Sequence, residues 1–294
     1  MNFSFMAFST GKATSEGGEI KRYVGVAPVK VLAVNPDKAT LEKLYNTTLE
    51  SAPEYLSVQS DVQTARIDLI VKTDADKAEG IDLTTKVVYF IRNEYRFNKD
   101  KTKVQVIDKY GRTAWVTKAQ LDTHEIPMYT NGPANLDKDY RPCYVGEEDF
   151  TNFIKAYLNI PNVQKYENGK WVMVDNPAEC EARLDNIKKI FSGDFSELKE
   201  IMSYQPENKV KVLFGVRTTD DGKQYQAAYT QMILRNGVTD YSRLDKDLQE
   251  RKAAGAYSTT EFVVGPLKEY SVTPTKVEDL PGVDDMPATP NSWF

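Results

Sequence analysis

The sequence is poor in the residues that carry most metal and thiol chemistry. Its 294 residues include two cysteines, Cys143 and Cys180, and one histidine, His124. Two cysteines cannot build a disulfide framework. With a single histidine besides, a four-ligand Cys/His zinc site within one chain is excluded. No apolar run approaches the roughly 18 residues of a membrane-spanning helix. The opening, MNFSFMAFST, carries Phe3, Phe5 and Phe8 without a basic segment or a continuous apolar stretch, so no cleaved secretory leader is expected. With 16 Gly and 14 Pro, the chain is not collagen-like or of low complexity. The common catalytic signatures are missing too: no GxxxxGK[ST] loop, no GxGxxG after a strand, no HExxH and no GxSxG elbow. His124 lies in the polar run DTHEIP and reads as a turn or surface histidine. A metal-dependent nuclease would need carboxylates converging on a cation, and no short motif marks them. Neither an enzyme nor a cofactor is expected.

Charge is abundant but uneven. The net charge is -5, from 38 Lys and Arg against 43 Asp and Glu. Residues 271–294 hold one base, Lys276, and four acids, Glu278, Asp279, Asp284 and Asp285. Residues 86–118 invert that balance, with nine bases (Lys86, Arg92, Arg96, Lys99, Lys101, Lys103, Lys109, Arg112, Lys118) and three acids (Glu94, Asp100, Asp108). Among these bases lie Tyr89, Phe90, Tyr95, Phe97, Tyr110 and Trp115. Cations that follow a phosphate backbone, interleaved with rings that stack on bases, are the chemistry of single-strand binding, at roughly 1–3 kcal/mol per stacked base. The candidate contacts are Lys86, Arg92, Tyr95, Arg96, Lys103, Lys109, Tyr110, Arg112 and Trp115, joined by Tyr225 and Tyr229 from a later strand. On a strand, alternate residues share a face, which separates Tyr89, Ile91, Asn93 and Tyr95 from Phe90, Arg92, Glu94 and Arg96.

Residues 1–19 read as a loosely ordered arm and 20–270 as the binding domain, with 271–294 as a disordered tail. Within the domain, β-branched runs at 22–34 and 64–72 predict strands, the first with a bulge at Gly25 and Pro28. Residues 85–117 predict three antiparallel strands, with turns at 98–102 and 109–111. Asp37 opens a short helix over 37–46. A helical insertion at about 120–205 starts with a long loop over 123–145. Phe150, Phe153, Ile154, Tyr157 and Leu158 then fall at helical spacing, and a second periodic run covers 177–203. Strands return on either side of Asp220–Gly222, a hairpin signal. A charged helix over 240–255 and an edge strand at 261–265 follow. The expected class is mainly β with helical insertions, α+β: an OB-fold-like five-stranded barrel decorated by helices.

The tail, VEDLPGVDDMPATPNSWF, resists helix and collapse yet ends in Trp293 and Phe294. An aromatic beside a carboxylate suits a pocket with a basic rim, which makes Asp284, Asp285, Trp293 and Phe294 candidate partner contacts. The phrases RYVGVAPVKVLAVNPDKATLEKLYN, KVVYFIRNEYRF…KYGRTAWV and FGVRTTDDGKQYQAAY, together with this tail, resemble the replicative single-stranded DNA-binding proteins of tailed phages, particularly crAss-like and other Bacteroides-infecting phages. The resemblance implies an OB-fold that coats exposed template in phage DNA replication, recombination and repair without sequence preference. It also implies a tail that recruits a polymerase or primase-helicase. The zinc ligands of some phage relatives are missing. The location implied is the cytoplasm, that of the host cell for a phage protein, with no membrane partner. The alternative reading is a virion structural or assembly protein.

Overall fold

A computed structural model describes residues 21–124, 136–203 and 205–271, and the backbone of Thr10 and Gly11. The N-terminal arm, apart from that backbone, and the acidic tail from residue 272 onward lie outside the described residues. So do Asp284, Asp285, Trp293 and Phe294. The described chain begins with β1 (Thr10–Gly11), β2 (Tyr23–Val34), α1 (Lys38–Tyr45), β3 (Leu56–Gln59), β4 (Val62–Thr73) and β5 (Leu83–Tyr95). It continues through β6 (Lys103–Ile107), β7 (Thr113–Thr117), α2 (Lys118–Thr123), β8 (Arg141–Pro142), β9 (Tyr144–Val145) and α3 (Glu147–Tyr157). The hairpin of β10 (Gln164–Glu167) and β11 (Lys170–Met173) precedes α4 (Ser196–Ser203). The last elements are β12 (Lys209–Thr218), β13 (Gln224–Ala228), β14 (Leu234–Arg235), α5 (Ser242–Ala253), β15 (Thr260–Phe262) and β16 (Lys268–Glu269).

Local chemistry explains many of these boundaries. Asp37 caps α1 by accepting from the Thr40 amide at 2.8 Å, and Asn46, left-handed at φ 49°, ends it. Thr117 and Gln120 form a reciprocal capping box at the start of α2, satisfying amides a helix start leaves open. The bulge of β2 falls between Val31 and Ala33 rather than at Gly25. Gly25 serves a different purpose. Its φ is +125°, and a Cβ there would strike the backbone of Pro266 and Leu267, so it lets β16 lie against β2. Residues 177–203 are not one helix. Two 3₁₀ turns, Pro177–Cys180 and Ile187–Ser192, precede α4, because Gly193 turns left-handed at φ 85°.

The main sheet runs β1-β5-β4-β2-β12-β13, and its ladders are antiparallel. The long strands β12, β2, β4 and β5 thus stand in the order fourth, first, second, third, a Greek key. The chain is mainly β with helices, and among the described residues the sheets do not close into the expected barrel. Among the described residues no ladder joins β13 to β5, whose outer edge is occupied by β1 and β9. A smaller sheet, β7-β6-β8, stands apart with its own core of Val104, Val106, Ala114, Val116 and Tyr140.

The largest core lies between one face of the main sheet and α3. Phe150, Phe153, Ile154 and Tyr157 are each at most 2% exposed and pack with Ile67, Val87, Tyr89 and Phe214. Each such side chain contributes about 1.5–3 kcal/mol by leaving water. Leu244 and Leu248 of α5 close a second cluster with Tyr229 and Phe262. Leu41 and Tyr45 of α1 cover Ile70 in a third.

Candidate nucleic-acid interface

The end of β5 leaves the main sheet and becomes a ribbon towards the smaller one. Its ladder with β4 extends to Arg92 opposite Thr64. On its other edge β9 pairs Arg92 with Val145 and, after a register shift, Tyr95 with Tyr144. The chain then bridges Phe97 to Val104, and the Asn98 amide donates to the Lys103 carbonyl at 3.0 Å. Residues 90–103 therefore span both sheets, held through their backbones.

Alternation decides what the ribbon shows to solvent only as far as Ile91: Tyr89 and Ile91 point into the core at 3% and 0% exposure, and Phe90 between them is 46% exposed. Beyond Ile91 the strand leaves the core, its register shifts, and Tyr95 and Phe97 are 44% and 51% exposed although they share the parity of Tyr89. Arg92, Lys99, Lys101 and Lys103 are exposed beside them. None of these four cations has an ion pair among the described residues, whereas their neighbours do. Of the two nearby acids, Asp100 is engaged by the amide and hydroxyl of Thr102 at 3.1 and 2.6 Å. Those hydrogen bonds hold its carboxyl below the usual range.

Arg96 and Trp115 form the shoulder of the ribbon. The Arg96 guanidinium lies 2.8 Å from the Glu148 carboxylate and 5.8 Å above the Trp115 ring centre. Glu148 also accepts from Gln105 Nε2 at 2.9 Å and Thr113 Oγ1 at 2.7 Å, so one carboxylate fixes three elements. Tyr95 leans on Tyr144 with ring centres 5.2 Å apart. Burial and the Tyr95 neighbour push the Tyr144 hydroxyl up to about 12.

The remaining sequence candidates sit elsewhere or are already engaged. Tyr110 and Tyr229 are 5% and 0% exposed, and this corrects their assignment as base contacts. Tyr110 is held between Lys109 and Arg112 at 5.2 and 5.4 Å. Tyr229 donates its hydroxyl to Asp247 and packs edge-on against Phe262. Lys109 faces Asp137 and Glu181 at 3.9 and 3.4 Å, and Arg112 meets Asp108 at 2.7 Å. Lys86 lies 3.6 Å from Asp68, which Arg66 grips with two 2.6 Å hydrogen bonds. Burial lowers the Lys86 pKa. Tyr225 is half-buried on β13 opposite Arg217. Phe90, Phe97, Lys99 and Lys101 were not among the sequence candidates. The alternation that pairs Phe90 with Arg92 on one face was the available signal.

Among the described residues, no group of three or more His, Cys, Asp or Glu is placed to hold a metal ion. His124 ends α2 in a left-handed conformation and its ring packs 5.0 Å from Tyr140. Cys143 and Cys180 are buried and free, and burial raises both thiols. Among the described residues, no helix is long and apolar enough to cross a membrane. No protein-family model, no curated protein and no solved structure matches the chain.

Proposed function

We propose that this protein binds single-stranded DNA without sequence preference and without catalysis, using the ribbon over residues 90–103 as its principal contact. The observation that carries the reading is the coincidence on that ribbon of three exposed rings and four exposed cations without an ion pair among the described residues. Each ring offers a π-face to any base, and each cation meets a phosphate. Duplex keeps its bases stacked on one another and gives the rings little to hold. The role that follows is coating of exposed template during phage DNA replication, recombination and repair. The acidic tail then recruits a polymerase or primase-helicase through Asp284, Asp285, Trp293 and Phe294. An OB-type origin belongs to the same proposal. Its support is the Greek-key order of the long strands, with β13 as fifth strand and helices inserted before β12, as in a partly open five-stranded barrel.

The test is fluorescence anisotropy with a labelled oligothymidine and a blunt duplex of equal length. Tight binding to the single strand and much weaker binding to duplex are expected. Equal affinity for both, or no binding to either, overturns the reading.

A further inference from the structure

The β10–β11 hairpin plays no part in the proposed interface. Its two strands pair only with each other among the described residues, around a tight turn at Asn168 and Gly169 with φ 49° and 79°. Its base is anchored by buried Gln164 and by the Val174 amide donating to Val163. Beyond that base it carries Tyr166 and Trp171, directly opposite each other and packed edge to face at 5.5 Å. They are 63% and 44% exposed, and Met173 on the same face is 45% exposed. Tyr166, Trp171 and Met173 thus form an exposed apolar cluster on a hairpin that no other strand covers among the described residues, the kind of surface interaction sites use.

A receiving surface exists on the same molecule. Ile81, Val263, Val264 and Leu267 wall an open groove of about 450 Å³, within the range of about 300–1,000 Å³ that holds organic groups of this size. Exposed Glu79 and Lys268 border it. The hairpin tip carries Lys170 across from Glu167, which Lys165 already engages at 2.9 Å. Neither Lys170 nor Glu79 has an ion pair among the described residues, so each is free to meet the other.

We propose that the Tyr166–Trp171 hairpin of one molecule docks in the Ile81–Leu267 groove of a second copy, with Lys170 against Glu79. Two different patches meet in such a contact, so it extends to further copies unless it is reciprocated in a symmetric dimer. Its small size makes it weak. It is independent of nucleic-acid binding.

Sedimentation velocity over a wide concentration range at low salt, without nucleic acid, tests the proposal. Wild type should gain mean mass with concentration, to a dimer or beyond. Trp171→Ser, on an exposed face, should keep the melting temperature and weaken association at least about tenfold. Lys170→Glu and Glu79→Lys should each weaken it, and the double reversal should restore it. A wild type that stays monomeric throughout overturns the proposal. So does association indifferent to Trp171→Ser and to both charge reversals. A Trp171→Ser variant that loses oligonucleotide affinity while self-associating normally would assign the hairpin to nucleic acid instead, and overturns it too.

Discussion

Tyr95 and Tyr110 belong to one basic, aromatic stretch, yet the first ring is 44% exposed and the second 5%. The sequence shows which residues share a face of a strand, but not which face another element will cover. The cations divide in the same way. Lys86 and Lys109 are engaged by Asp68, Asp137 and Glu181, partners that only the fold brings near, and a local charge count cannot see them. Arg112 and Asp108, four residues apart, were the one pairing open to inspection. Alanine substitution separates the two kinds of ring. Phe97→Ala should lower affinity for a single strand by roughly 1–3 kcal/mol and leave the melting temperature nearly unchanged. Tyr229→Ala should cost about 3–5 kcal/mol of stability, while its folded fraction binds as wild type does. Anisotropy and thermal melting on the same samples decide the matter, and a Phe97→Ala protein with wild-type affinity would remove that ring from the interface.

At the scale of elements, the ribbon depends on a junction that carries no ring or charge. Gly146 precedes α3 with φ 89°, and a Cβ there would run into the carbonyl oxygen of Phe90. Only glycine lets β9 lie close against β5 beneath Phe90, Arg92 and Tyr95. Gly146→Ala should therefore destabilise the fold by at least about 1–3 kcal/mol, the usual cost of a forced backbone conformation. It should also weaken single-strand binding, because Tyr95 loses its support from Tyr144. A drop in both quantities distinguishes it from Phe97→Ala, and a variant normal in both would refute this account of the junction. Elements with strong local signals were legible: α1 behind Asp37, the amphipathic α3, the hairpin at Asp220–Gly222 and the charged α5. Strands β8 and β9, two residues each, are too short to show periodicity, and they lay inside what read as loop. The β10–β11 hairpin was missed although Asn168–Gly169 is a favoured two-residue turn, because its flanks are polar and mostly exposed. The order of strands across the sheet depends on long-range pairing, so only its β-rich character could be read.

Across the whole molecule a net charge of -5 coexists with a ribbon whose five bases, Arg92, Arg96, Lys99, Lys101 and Lys103, outnumber Glu94 and Asp100. On the proposed function, attraction to a polyanion is local, and salt should reveal it. If Arg92, Lys99, Lys101 and Lys103 each neutralise a phosphate, the log–log slope of affinity against salt should be about -3, at roughly -0.7 per contact on a single strand. Replacing Lys99 and Lys101 by Gln removes two contacts and should flatten the slope by about 1.4. An unchanged slope would place the phosphate contacts elsewhere. If the protein binds DNA as proposed, the acids at Glu278, Asp279, Asp284 and Asp285 should compete for the same cations, since tail and DNA carry like charge. Deleting residues 277–294 should raise single-strand affinity at low salt. The gain should shrink as the screening length falls to about 3 Å near 1 M. A deletion that changes affinity equally at every salt concentration would show that the tail acts by some route other than competition for the ribbon.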